Sequence, residues 1–204
     1  MLKKLVLAAL VAASAVFAQI NVSGRVAFNY GNVWGENTDD IEWGAGFIIG
    51  PEVRYNINPM ISIISGLELD YRRISTEYHV EYDRYLDPDL RDYDVTETTS
   101  FMYLDIPLLL RVKPVSFFSI DAGMFFDFNL SANNALEYGD ETMSDDVSAS
   151  VKPFEFALVC GLGFEVVSDL ELNFRALFGM TSLSKNVDKI KHLRLQAGLT
   201  YWTF

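Results

Sequence analysis

Eight stretches of the chain alternate apolar and non-apolar residues with a period of two. In the clearest, Leu170, Leu172, Phe174, Ala176, Phe178 and Met180 mark one face, and Glu171, Asn173, Arg175, Gly179 and Thr181 the other. That period belongs to a strand with two different environments on its two faces. A water-soluble sheet would cover its apolar face, yet the pattern leaves no helix or second sheet to cover eight of them. A closed sheet with its apolar face in lipid and its charges inside also pairs every backbone group. The expectation is an all-β fold, an eight-stranded antiparallel up-and-down transmembrane β-barrel. Its strands fall at 20–30, 43–56, 60–73, 100–112, 117–130, 154–167, 170–181 and 191–203. Each exceeds the ~9–11 residues a tilted strand needs to cross a bilayer.

The connections alternate in length. Segments 56–59, 113–116 and 168–169 read as tight turns, whereas 31–42, 74–99, 131–153 and 182–190 are mostly long and polar. Short periplasmic turns and longer external links are the asymmetry of an outer-membrane barrel, which puts both ends of the barrel in the periplasm. Ahead of it, Lys3 and Lys4, an apolar run from Leu5 to Ala15 and the trio Val16, Phe17 and Ala18 read as a secretory signal peptide. Residues 1–18 are therefore expected to be removed, leaving 19–204 as the barrel domain in the bacterial outer membrane. The single cysteine, Cys160, excludes an internal disulfide and falls in the lipid-facing phase.

Segment 103–111, YLDIPLLLR, resembles the YLDIP-type strand of the PorT-like outer-membrane β-barrel family, and segments 50–59 and 118–123 fit it too. The resemblance covers essentially the whole mature chain. It implies a small eight-stranded barrel and, the family being functionally mixed, carries over no catalytic residue. Many such barrels end in an aromatic residue that the barrel-assembly machinery reads, a role Phe204 fits. The apolar phase of the last strand, however, runs through Leu195, Ala197, Leu199 and Tyr201, so Phe204 is one residue out of step. Either a bulge shifts the end or the last residue points inward.

The inward phase collects Arg25, Glu52, Arg54, Glu68, Asp70, Arg72, Asp105, Arg111, Asp121, Asp127, Glu155, Glu165, Glu171, Arg175 and Arg194. An eight-stranded barrel has an interior just wide enough for side chains. Nine carboxylates and six arginines there should form a filled, ion-paired lumen, since the guanidinium fork can bridge two carboxylates. The rival is a small cation-selective channel lined by acids. A lipocalin-like soluble binder would need the inverse pattern, with apolar residues inside.

Charge adds a second theme. The chain carries −12, or −14 without Lys3 and Lys4. Segment 31–42 holds −4, 74–99 holds −6 and 131–150 holds −5, so the external links account for the whole excess. They read as a solvated, self-repelling surface, able to meet an envelope or surface protein. Asp87, Asp89, Asp92 and Asp94 are closely spaced oxygen donors but lack the glycine and terminal glutamate of a calcium loop. Arg73, Lys152, Lys185, Lys189 and Lys191 are placed to face the phosphates of lipopolysaccharide. Acidity speaks against nucleic acid.

A lipid-modifying hydrolase would need a serine beside a histidine with an orienting acid. His79 and His192 are the two histidines. Ser75, Glu77 and His79 alternate on one face, but same-face neighbours stand about 7 Å apart by strand rise. The chain is accordingly expected to be a monomer with no enzymatic activity, no cofactor and no metal site, in contact with outer-membrane lipid.

Overall fold

The computed structural model describes residues 19–35, 41–80, 93–138, 141–183, 185 and 190–203. The signal peptide expected at 1–18 and the assembly signal at Phe204 lie outside the described residues. So do Glu36, Asp39, Asp40, the acids of 81–92 and Asp140, together with Asp188, Lys189 and the side chains of His79, Asp94 and Glu141.

Every regular element among the described residues is a strand: β1 (Ile20–Trp34), β2 (Ile41–Glu42), β3 (Gly44–Asn58), β4 (Ile61–Gly66), β5 (Glu68–Val80), β6 (Tyr93–Val115), β7 (Phe118–Tyr138), β8 (Glu141–Asp146), β9 (Phe154–Val167), β10 (Leu170–Gly179) and β11 (Lys191–Thr203). All pairings are antiparallel, and β1 closes on β11 with Val22 opposite Thr203 and Trp34 opposite Lys191. β4 and β5 are one wall strand interrupted at Leu67, whose N–H still reaches the Pro51 carbonyl. Counted so, the wall is a ring of eight strands, while β2 and β8 are short additions outside it.

Burial follows the period of two. Along β1 the odd positions Ser23, Arg25, Ala27 and Asn29 are buried, while Val22, Val26, Phe28 and Tyr30 are exposed on the outer wall, as the alternation predicts. Lipid takes the place of water on that wall, so its apolar side chains are solvated by hydrocarbon. Aromatic pairs mark both rims: Tyr30 stacks on Trp43 at 5.2 Å at one end, and Phe118 meets Phe164 at 5.3 Å at the other.

Three features differ from the sequence reading. The first two periplasmic turns sit at 59–60 and 116–117, each later than expected. At the first, Asn58 Oδ1 accepts the N–H groups of Met60 (2.8 Å) and Ile61 (2.9 Å), which moves the reversal past the asparagine. Second, much of the polar links is strand. Ile74 to Val80 pairs with Tyr93 to Thr99, and Asn133 to Tyr138 pairs with β8. Thr96, Thr98 and Thr99 favour strand conformation, and a sheet beyond the bilayer needs no apolar alternation. Glu77, Glu137, Asp145 and Asp146 thus stand exposed on paired strands instead of free loops. Third, β10 ends at Gly179, two residues early.

Neighbouring strands approach each other closely at several glycines. A Cβ on Gly46 would lie 1.9 Å from the Tyr71 carbonyl oxygen, and one on Gly123 would lie 2.1 Å from that of Leu108. Backbone occupies the space a side chain would take, so glycine is required there by proximity.

Candidate functional site in the barrel lumen

The lumen is built from the inward phase of the wall strands, and its charges fall into three groups from the periplasmic end outward. In the first, register places Arg111 of β6 directly opposite Asp121 of β7. Its fork donates to both Asp121 oxygens at 2.7 Å each and to Glu171 Oε1 at 2.7 Å. Bidentate geometry of this kind is the strongest form of the pair. Nearer the mouth, Lys113 pairs with Glu165, both partly exposed. Arg54 differs from the rest of the set. Its guanidinium lies 4.1 Å over the ring of Trp202 and makes one long contact, 3.5 Å, to Asn21 Oδ1. Among the described residues it has no carboxylate partner.

In the second group, Arg25 reaches three strands. It donates to Glu68 Oε2 (2.9 Å), Asn173 Oδ1 (3.1 Å) and Gln196 Oε1 (3.0 Å). Arg175 completes it with Glu52 at 2.7 Å and Glu68 at 3.3 Å. All four charged side chains have no solvent exposure. Burial at that depth is tolerable only because each charge faces its opposite.

The third group is the densest. Arg72 and Arg194 clamp three aspartates between them. Arg72 reaches Asp70 (2.7 Å), Asp105 (2.9 Å) and Asp127 (3.0 Å); Arg194 reaches Asp70 (2.8 Å), Asp105 (3.1 Å) and Asp127. Beside them, Glu155 accepts from the Tyr103 hydroxyl and lies 2.8 Å from His192 Nδ1. Arg72 also lies 3.9 Å over the Tyr103 ring, a cation–π contact. His192 packs edge-on against Phe101 and Tyr103, so its surroundings are an acid, an arginine and two rings, with no serine in the hydrogen-bonded set.

Apolar side chains fill what the charges leave. Ile64, Leu109, Phe125, Ala157, Val159 and Leu177 pack with Trp202 along the inside of the wall. Above the third group, Val33, Phe101, Tyr103, Ala132, Val151 and Leu183 form a second cluster across the outer mouth. Two connections bring it there: Lys152 N–H donates to Leu183 O (2.8 Å), and Lys185 N–H to Ser150 O (3.0 Å).

Tyr103, His192, Asn29, Asn173 and Gln196 are lumen residues that a search for Asp, Glu and Arg passes over. The signal was present, since each shares the phase of a named neighbour: Tyr103 that of Asp105, His192 that of Arg194. Cys160 is exposed on the outer wall opposite Ala122 and Ala176. Of the rim cations, Lys185 Nζ donates to the Ala149 carbonyl at 2.7 Å and Lys191 Nζ lies 5.0 Å over the Trp34 ring.

The family described as outer membrane protein beta-barrel domain matches residues 17–185. Among solved structures, the chain is similar to Ail, the attachment invasion locus protein of Yersinia pestis. The two are 13% identical over 90% of this chain and 98% of that one, with a TM-score of 0.51. A neisserial surface protein, NspA, is 12% identical over 88% of this chain and 96% of its own, with a TM-score of 0.45. No curated protein sequence matches the chain. Likeness at this level of identity concerns the fold alone.

Proposed function

The chain belongs to the outer membrane protein beta-barrel domain family, and from that premise we propose that it is a non-conducting scaffold in the bacterial outer membrane whose task is to hold acidic surface segments outward. The observation that carries this reading is the filling of the lumen. Three charge groups occupy it, and the cluster of Val33, Phe101, Ala132, Val151 and Leu183 lies across its outer mouth. A conducting pore needs a continuous wet path with binding weak enough to let ions leave. Carboxylates held by arginine forks and other donors inside an eight-stranded ring offer neither.

The acidic display is the interactive part. Glu77 on β5, Glu137 on β7 and Asp145 and Asp146 on β8 are exposed on paired strands beyond the aromatic rim. A basic face of an envelope or surface protein fits that chemistry, and lipopolysaccharide phosphates fit the rim cations. The resemblance of segment 103–111 to PorT-like barrels supports an accessory role beside a secretion or assembly machine. In planar bilayers the purified barrel is expected to give no stable single-channel steps. Reproducible cation-selective steps would overturn the scaffold reading. A photo-crosslinker at position 145 in living cells should capture a specific neighbour, and capture of lipid alone would remove the protein-partner role.

A further inference from the structure

The periplasmic mouth holds an open cavity of about 590 Å³ whose lining includes Gln19, Arg54, Asn56, Asn58, Ser62 and Lys113. In a chain of net charge −12, this lining has two cations and no carboxylate. The charge of Lys113 is shared with Glu165. That of Arg54 is not shared: Arg25, Arg72, Arg111, Arg175 and Arg194 each hold a carboxylate, whereas Arg54 holds none among the described residues. Its Nε is buried without a partner. One face of its guanidinium rests on Trp202 and one terminal nitrogen makes the long contact to Asn21 Oδ1, so no carboxylate among the described residues takes its N–H groups. A half-buried guanidinium that lacks a carboxylate and is held by stacking suits a planar oxyanion.

The neighbouring amides refine the class. Asn56 donates its NH2 to Asn21 Oδ1 at 2.7 Å, which leaves its own carbonyl oxygen as an acceptor. Asn58 spends its carbonyl oxygen on the turn, which leaves its NH2 as a donor. One free acceptor and one free donor match the two sides of a peptide bond, while a phosphate would be met by an unwanted acceptor. Ile57 and Met60, both exposed at the lip, supply apolar contact. We propose that this cavity is a binding site for a peptide end bearing a free carboxylate, presented from the periplasm, with Arg54 taking the carboxylate and Asn56 and Asn58 the adjoining peptide group.

The test uses the folded barrel in detergent micelles with Trp34 and Trp43 changed to Phe, so that Trp202 reports on the site. N-acetyl-alanyl-alanine should change its fluorescence saturably, and the corresponding C-terminal amide should bind at least about tenfold more weakly, the loss expected for a charge-assisted bidentate contact. R54Q should lose a similar factor while keeping its heat-dependent gel mobility, and K113Q should weaken the free acid but not the amide. Equal binding of acid and amide, an unaffected R54Q, or no saturation below about 10 mM would overturn the proposal. Inorganic phosphate binding as tightly as the peptide would overturn the peptide assignment. Binding of added peptide only after a short C-terminal tail is appended would assign the cavity to the chain's own end instead.

Discussion

Changing Arg194 to Met tests whether the lumen charges hold the barrel together. Arg194 is 2% exposed and bonds three carboxylates, Asp70, Asp105 and Asp127, none of which has any exposure. Methionine fills a similar volume but leaves those three acids to Arg72 alone, at 2.7, 2.9 and 3.0 Å. Removing one partner of a buried pair costs about 3–5 kcal/mol, because the remaining charge stays desolvated. Here more than one acid loses its partner, so the upper half of that range is expected. The assay is urea unfolding in lipid vesicles, followed by tryptophan fluorescence and by the fraction running as folded barrel on unheated gels. Adding Asp127→Asn to Arg194→Met removes one stranded charge and should recover at least about 1 kcal/mol, a coupling within the range for directly bonded residues. The partly exposed pair Lys113–Glu165 is the control, and Lys113→Met should cost under about 1 kcal/mol. A loss at Arg194 within about 1 kcal/mol of zero, or strict additivity with Asp127→Asn, would refute the argument.

Three further outcomes follow from packing. Gly46→Ala puts a Cβ 1.9 Å from the Tyr71 carbonyl oxygen, whereas a Cβ on Gly24 meets nothing within 4 Å. The first should cost about 1–3 kcal/mol in the same unfolding assay and Gly24→Ala close to nothing; equal effects would contradict the close approach. Leu183→Asp places a carboxylate in the outer apolar cluster and should speed backbone hydrogen exchange at 147–153 without loss of the folded gel band. Unchanged exchange there would mean the cluster does not hold the connection down. In proteoliposomes a water-soluble maleimide should leave Cys160 unmodified while a lipid-soluble one labels it, since the thiol lies on the outer wall; rapid labelling by the first would contradict the register.

The wall was legible because bilayer and lumen impose opposite demands on successive residues, as in the alternation of Val26, Phe28 and Tyr30 with Arg25 and Asn29. Beyond the bilayer that contrast vanishes, and the paired strand through Thr96, Thr98 and Thr99 reads as a polar link. The phase of charges such as Arg25, Glu68 and Asp105 was equally legible, since a charge inside a membrane has only the lumen to occupy. Their pairing was not. Which acid Arg25 meets depends on the stagger of strands around the ring, and that places Glu68 and Gln196 rather than a sequence neighbour beside it. Arg54 shares the phase of the other arginines, yet a tryptophan, and no acid among the described residues, receives it. The outer cluster escaped because Val147, Val151 and Leu183 are single apolar residues in polar surroundings.

The stagger also constrains the order of events during insertion. Arg25 sits 171 residues from Gln196, and Arg194 sits 124 residues from Asp70. A half-assembled sheet holding the first seven wall strands would carry Asp70, Asp105 and Asp127 into the bilayer with one arginine among them. The last strand delivers Arg194 and, in the same movement, the hydrogen-bonded seam with β1. Neutralising the interior and closing the edge therefore coincide, so an open intermediate is penalised twice over, by stranded charges and by unpaired backbone.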